Sequence, residues 1–268
     1  MAKIFITGSA DGLGLFAAKE LIRLKHEVVL HARNEARAKQ AMQHAPGAAD
    51  VFVADLKDME AVKLLAAKTN EWGTFDAVIH NAGIYNNSSN TSGLSDMLLV
   101  NTLAPYILTC TMNTPKRLVY LSSGMHRSGN AGIKNLSNSR VSYSDTKLHN
   151  VMLAKIIARK WKNVYANAVD PGWVPTKMGG ANAPDSLEKG YATQVWLAVS
   201  NEPGALVSGY YFHHKQQANY LHAANDETAQ DALIAQCEKL TGVKWKRSKN
   251  NCIDLKYAAQ TCLPWRSG

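Results

Sequence analysis

No run of about 18 uninterrupted apolar residues occurs in this chain, so no membrane-spanning helix is expected. The first apolar run, Ile4-Phe5-Ile6, is too short for the core of a secretory signal. Cysteine is scarce: Cys110, Cys237, Cys252 and Cys262 contain no C-x-x-C pair. That argues against a disulfide scaffold or a zinc site and for reduced thiols in a cytoplasmic protein. The G-x-S-x-G elbow of serine hydrolases is missing, as is any repeat of solenoid period. Acidic residues are in deficit, 21 against 30 Lys and Arg, for a net charge of +9. The excess is local. Between 244 and 268, Lys244, Lys246, Arg247, Lys249, Lys256 and Arg266 face a single acid, Asp254, so +5 of the +9 lies there. No nucleic-acid motif or basic-aromatic platform accompanies it, so nucleic acid is not an expected partner. The stretch 244–268 reads as a basic tail after a domain at 1–243.

What is present points to one α/β domain. Short apolar runs at 3–7, 27–31, 51–53, 77–79, 118–121, 165–169 and 206–212 read as strands. Helix-period segments at 34–44, 59–68 and 143–161 fall between them, with another running to 24 behind the loop 8–14. Such alternation predicts a doubly wound parallel sheet of about seven strands with helices on both faces. The polar stretch 85–92 reads as a surface loop, and 179–190, with small residues and Pro184, as a lid.

The loop Thr7-Gly8-Ser9-Ala10-Asp11-Gly12-Leu13-Gly14 follows the first strand and opens a helix. Glycines there allow a tight turn and close approach to a pyrophosphate, and the helix N-terminus offers N–H donors, so a Rossmann-type nucleotide site is expected. The end of the second strand then selects the cofactor. An acid there would hold the ribose hydroxyls of NAD, but the chain has His31-Ala32-Arg33. Arg33 can pair with a 2′-phosphate, which favours NADP over NAD.

Tyr143 and Lys147 are four apart at the start of a helical segment and share a face. An ammonium beside a phenol lowers the phenol pKa towards neutrality, which would suit a proton donor for a carbonyl. Tyr211 and Lys215 repeat the spacing, but no serine strand or phosphate loop supports them. His213-His214 lacks partners at metal-ligand spacing, and no metal is expected.

Taken in order, Thr7-Gly-x-x-x-Gly-x-Gly14, Asp55-Leu56, Asn81-Ala82-Gly83, Asn101, Ser122-Ser123, Tyr143-x-x-x-Lys147 and Pro171-Gly172 resemble the short-chain dehydrogenase/reductase family over roughly 3–212. Ser122-Ser-x-x-His126 and Ser144-x-x-Lys147-Leu-x-Asn150 are most similar to its retinol dehydrogenase and carbonyl reductase branches. The resemblance implies that Tyr143 is the general acid/base, that Lys147 also binds the nicotinamide ribose, and that Ser123 bonds the substrate oxygen. It implies that Asn101 holds a water leading from Lys147 to solvent. Gly8, Ser9, Asp11, Gly12, Leu13 and Gly14 would cradle the cofactor, Asp55 and Leu56 would border its adenine, and Asn81, Ala82 and Gly83 its adenosine ribose. Pro171, Gly172, Val174 and Thr176 would flank the nicotinamide. The implied activity is reversible, NADP-dependent reduction of an aldehyde or ketone; a non-catalytic NADP-binding sensor is the alternative. Met125, Trp173 and Met178 suggest a moderately apolar substrate. Two departures stand out. Ser123 lies 20 positions before Tyr143, longer than the usual family spacing, and the insertion is expected as a loop beside the substrate. The stretch 101–122 is short for a helix that often builds the family's dimer face, which leaves the homo-oligomer open.

Overall fold

Strands form here because their side chains alternate between two apolar layers. In β1 (Lys3–Ile6), Phe5 packs into one core with Val29, Phe52 and Val78, while Ile4 and Ile6 enter the other with Val28 and Leu30. The computed structural model describes residues 1–85, 93–133, 136 and 141–246. The further strands are β2 (Glu27–Ala32), β3 (Asp50–Val53), β4 (Ala77–His80), β5 (Arg117–Leu121), β6 (Tyr165–Asp170), β7 (Tyr211–His213) and β8 (Gln216–Gln217). They form one sheet in the order β3-β2-β1-β4-β5-β6-β7-β8, parallel throughout except for the β7–β8 pair. The sequence of strands reverses between β1 and β4, and the crevice at such a switch point is where open α/β sheets bind ligands.

The helices are α1 (Gly12–Arg23), α2 (Glu35–His44), α3 (Met59–Trp72), α4 (Asp96–Leu98), α5 (Ala104–Thr111), α6 (Tyr143–Lys160), α7 (Leu187–Val199) and α8 (Glu227–Thr241). Leu15, Leu21, Ala38, Ala41, Val195 and Leu197 seat α1, α2 and α7 on one face of the sheet. Val62, Leu65, Tyr106, Ile107, Met152, Ile156 and Leu233 seat α3, α5, α6 and α8 on the other. A π-helical turn, Leu99–Leu103, joins α4 to α5 and contains Asn101. No helix among the described residues is long and apolar enough to cross a membrane.

The expected doubly wound sheet is present, with eight strands where about seven are read from the sequence. The difference lies at one edge. Of the run expected at 206–212, only Tyr211 and Phe212 pair as a strand, which extends to His213. Before it, Ser208 donates its hydroxyl to the Val164 carbonyl and accepts from Ala166 N–H (both 3.0 Å), and Gly209 takes φ +83. A side chain thus takes the place of one rung there, while Gly209 N–H still bonds the Ala166 carbonyl at 2.7 Å. Lys215, four residues from Tyr211, lies in the turn between β7 and β8 and not on a strand face. Helices α7 and α8 carry no expectation from the sequence pattern. Of the stretch 244–268, residues 244–246 are described and lie on the domain: Trp245 packs against Tyr106 and Trp161 at 6.0 and 5.6 Å between ring centroids. The rest of that stretch lies outside the described residues, as do 86–92 of the surface loop and 134–135 and 137–140 of the insertion before Tyr143.

Candidate active site

A cavity of about 560 Å³ opens at the carboxyl ends of β1, β2, β4 and β5. Its floor is the loop after β1. Gly8 adopts φ +64, and a Cβ there would come within 2.9 Å of the Ala82 backbone, so only glycine lets the two loops meet. Asn81 Nδ2 donates to the carbonyls of Thr7 and Gly8 (both 3.0 Å), and Thr7 Oγ1 accepts from Ala82 N–H at 3.1 Å. His31 fastens the other side. Its Nδ1 accepts from Gly8 N–H at 2.9 Å, which leaves the Nε2 proton for the Ala54 carbonyl at 3.0 Å. Burial lowers the His31 pKa to about 4, so the ring stays neutral in this linking role.

Asp11 precedes α1 and makes no side-chain cap, so the first-turn N–H groups of that helix face the cavity without a protein carboxylate on them. Its carboxylate turns instead to Arg37 (2.6 Å) and Lys177 (2.8 Å). Burial would raise the Asp11 pKa, but these two hydrogen-bonded cations bring it below the usual carboxylate range. Arg33, Arg37, Lys57 and Lys177 all reach the cavity wall, where Asp55, Leu56, Asn81, Ala82 and Gly83 also stand. The glycine cradle, the uncapped helix end and the cations fit a phosphorylated dinucleotide.

The reacting groups stand at the other end of this cavity. Ser142 and Asp145 form a capping box at the start of α6, which fixes Tyr143 as the first helical residue. Lys147, one turn on, is buried and places Nζ 5.3 Å from the Tyr143 ring centroid, with a hydrogen bond to the Leu121 carbonyl at 2.9 Å. Burial lowers the Lys147 pKa to about 8, against an opposing pull from Asp170. The expectation that Lys147 depresses the phenol fails for the protein alone. Burial first, then the charge of Asp170, push Tyr143 up to about 12, with the Ser123 side chain acting in the other direction. The ammonium lies over the ring face and bonds a carbonyl, which is why it does not offset that burial.

The two neighbouring serines have different settings. Ser122 is buried and donates to the Lys147 carbonyl at 2.8 Å, whereas Ser123 is the one that acts on the phenol. Asn101 is fully buried in the π-helical turn. It accepts from Ile84 N–H (2.8 Å) and donates to the Ile84 carbonyl (2.9 Å) and to Thr146 Oγ1 (3.1 Å). A Cβ on Gly83 would meet Lys147 Nζ at 3.1 Å and Asn101 Oδ1 at 3.6 Å, so Asn101, Gly83 and the ammonium are adjacent.

Several expected cofactor residues stand behind the wall. Ser9 is fully buried, donates to the Ile6 carbonyl (2.9 Å) and accepts from His31 N–H (2.8 Å). Gly14 is a packing glycine whose Cβ would meet the Gly8 carbonyl at 2.6 Å. Val174 is buried against Gly190, and Gly172 turns the chain at φ +80, while Pro171 and Thr176 line the cavity. Residues that the sequence reading missed are Arg37, Lys177 and Asp170. Arg37 lies in the first turn of α2, behind the Asn34 cap that follows Arg33; Lys177 reaches the site only through the fold of the loop after β6. The His213 and His214 rings lie 3.7 Å apart at a tilt of 31°, and no three His, Cys, Asp or Glu residues among those described are placed to hold a metal.

Known proteins are similar to this chain in sequence and in fold. A family model described as short chain dehydrogenase matches residues 2–187. Short-chain dehydrogenase chyC of Penicillium rubens is 39% identical over 255 residues, covering 91% of this chain and 99% of that protein. Retinol dehydrogenase 14 of Homo sapiens is 27% identical over 290 residues, covering 90% of this chain and 86% of its own length. In fold, the chain is similar to the Pseudomonas aeruginosa RhlG/NADP active-site complex, with a TM-score of 0.64 at 20% identity over 79% of this chain and 94% of that one. With cradle, switch-point cavity and Tyr143-x-x-x-Lys147 in one site, the chain belongs to the short-chain dehydrogenase family.

Proposed function

We propose that the protein is an NADP-dependent oxidoreductase that reduces an aldehyde or ketone to the alcohol, reversibly, with Tyr143 as general acid/base. The observation that carries this reading is the phenol of Tyr143 beside Ser123 and Lys147, at the end of a cavity whose other end is a glycine cradle ringed by cations. NADPH, when bound, supplies the hydride for the carbonyl carbon. Arg33 and Arg37, with no acid at the end of β2, support a 2′-phosphate over a free ribose hydroxyl.

Tyr143, pushed up to about 12, keeps its proton at neutral pH and is in the form that donates to a carbonyl oxygen. Ser123 stands where its hydroxyl can share that oxygen and stabilise charge growing on it. Lys147 holds a charge behind the phenol, and Asn101 fixes the backbone at Ile84 beside it. Tyr85, Met125, Trp173 and Met178 are exposed large apolar side chains on the loops that carry the site, and Tyr85 meets the Tyr143 ring edge-on at 4.8 Å. They favour an apolar, bulky carbonyl compound.

The test is turnover of a carbonyl panel with NADPH and NADH by the wild type and Tyr143→Phe. The wild type is expected to prefer NADPH, and the variant to lose at least about 10²-fold in kcat while still binding NADPH, read by quenching of tryptophan fluorescence. Undiminished reduction by Tyr143→Phe overturns the mechanism; NADPH binding without turnover by the wild type favours a sensor.

A further inference from the structure

Asp170, the last residue of β6, has no part in the reaction as described above, yet its carboxylate is fixed next to the reacting groups. Its side chain is only 13% exposed. Oδ1 accepts from Gly172 N–H and Oδ2 from the Tyr211 hydroxyl, each at 3.0 Å. A Cβ on Gly124 would come within 3.2 Å of Oδ2, so the carboxylate lies directly behind the Ser123-Gly124 backbone. Lys147 reaches in from α6: its Nζ rests on the carbonyl of Leu121, the last residue of β5, and Leu121 is in register with Val169, the residue before Asp170. The ammonium therefore sits on the end of β5 and the anion at the end of the adjacent β6, with Ser123-Gly124 leading from the anion to the phenol.

We propose that Asp170 is the counter-charge of the Tyr143–Lys147 pair, a positioning residue that acts through space to hold protons on the phenol and the ammonium and so sets the upper pH limit of carbonyl reduction. The inference rests on the reading of Tyr143 as the acid. A fixed negative charge raises the proton affinity of every group near it, and its effect is felt at both Tyr143 and Lys147, second in each to burial. Other charged or titratable groups face the same region. His126 and Arg127 lie on the turn after β5, Tyr211 and His213 on β7, His214 in the turn beyond, Asp185 on the segment that leads into α7 and Lys189 in its first turn. Burial lowers His126 and His214, so neither carries a standing charge above neutral pH. Arg127 is turned to the Asn219 carbonyl at 2.9 Å, and Asp185 to Trp173 N–H. Asp170 is the carboxylate whose charge acts on both members of the pair.

The experiment reads Lys147 directly and needs no substrate. The full-length chain is labelled with [13Cε]lysine, the Lys147 resonance is assigned by its loss in Lys147→Met, and its midpoint is followed from pH 6 to 10. Asp170→Asn keeps the shape and removes the charge; the midpoint is expected to fall by about one pH unit. Tyr211→Phe removes a hydrogen bond to the carboxylate and leaves its charge, so the midpoint should stay in place. Asp170→Ser provides a second neutral variant should the asparagine fail to fold. In reduction assays the high-pH limb of kcat/KM moves down by the same amount. An unmoved Lys147 midpoint in the neutral variants, or an equal shift in Tyr211→Phe, overturns the proposal. Because the resonance reports without turnover, either result is separable from a failure of Tyr143 as the acid.

Discussion

Lys147 is the residue on which the energetics and the chemistry of the site meet. Burial holds its pKa at about 8 in the folded chain, against an ordinary 10.5. Between those values the unfolded chain binds a proton that the folded one does not, so stability rises with pH across that window. Below about 8 both states are charged, and the folded state carries the whole desolvation penalty. Lys147→Met is therefore expected to be more stable than the wild type at pH 7, by on the order of 3 kcal/mol. The Leu121 carbonyl would keep a donor in Asn150 Nδ2 at 3.0 Å. The gap should narrow as pH approaches 10.5; urea denaturation at pH 7 and pH 10 without cofactor measures it. A gap independent of pH would show that Lys147 is not strained by its burial. At this scale the sequence was informative about residue type and less so about setting. Tyr143, Lys147 and the glycine loop were legible because chemistry demands those residues at that spacing. Ser9 and Val174 are packed behind the wall, which motif position cannot reveal, and the direction of the Tyr143 shift depends on burial, a property of the fold.

At the scale of elements, the hairpin joining β7 to β8 is the least regular piece near the site. Its two turn residues, His214 and Lys215, both adopt left-handed backbone, with φ of 49 and 64. Two-residue hairpins favour Asn-Gly in those places, because other L-residues cost about 1 kcal/mol or more there. Lys215→Gly preserves the backbone N–H that donates to Thr193 Oγ1 at 2.9 Å. Combined with His214→Asn, it should raise stability by about 1 kcal/mol, or roughly 2–4 °C in Tm. A scanning calorimetry trace with a lower Tm would refute that view of the turn. The same residues explain why the eighth strand is not legible in the sequence. With no Gly, Asn or Pro between Phe212 and Gln217, nothing in the sequence marks a turn there, and a two-residue strand such as Gln216–Gln217 has no periodicity to detect. By contrast, β1, β2, β4, β5 and β6 are apolar on both faces of a buried sheet, and their runs stand out for that reason. Asp226 as cap and Gly242 at φ 69 after the last turn of α8 were readable stop and start signals that periodicity alone passed over.

For the whole molecule the open question is assembly, since the resemblance implies a dimer face on the helix of the stretch 101–122, which is α5 here and shares a core with α6. Such a face must be exposed in the isolated chain before it can be buried in a pair. Here no residue of α5 or α6 is exposed. The described residues after α8 account for part of that cover. Tyr106 donates to the Val243 carbonyl, and Trp161 Nε1 to the Lys246 carbonyl, each at 3.0 Å. Lys246 Nζ in turn donates to the Met112 carbonyl at 2.8 Å, closing a strap over the end of α5. Trp245 fills the gap between Tyr106 and Trp161. Displacing these contacts to pair α5 and α6 with a second copy would unseat an aromatic cluster, at a cost of about 3 kcal/mol for the tryptophan alone. The chain is therefore expected not to dimerise through α5 and α6. Sedimentation velocity at micromolar concentration should give a species of one chain, or, if a larger one appears, hydrogen exchange in α5 and α6 unchanged by dilution. Trp245→Ala should lower the Tm and speed exchange at Tyr106 and Trp161. A concentration-dependent dimer that protects α5 and α6 on association would show that the strap is displaced and that the family's face is used after all.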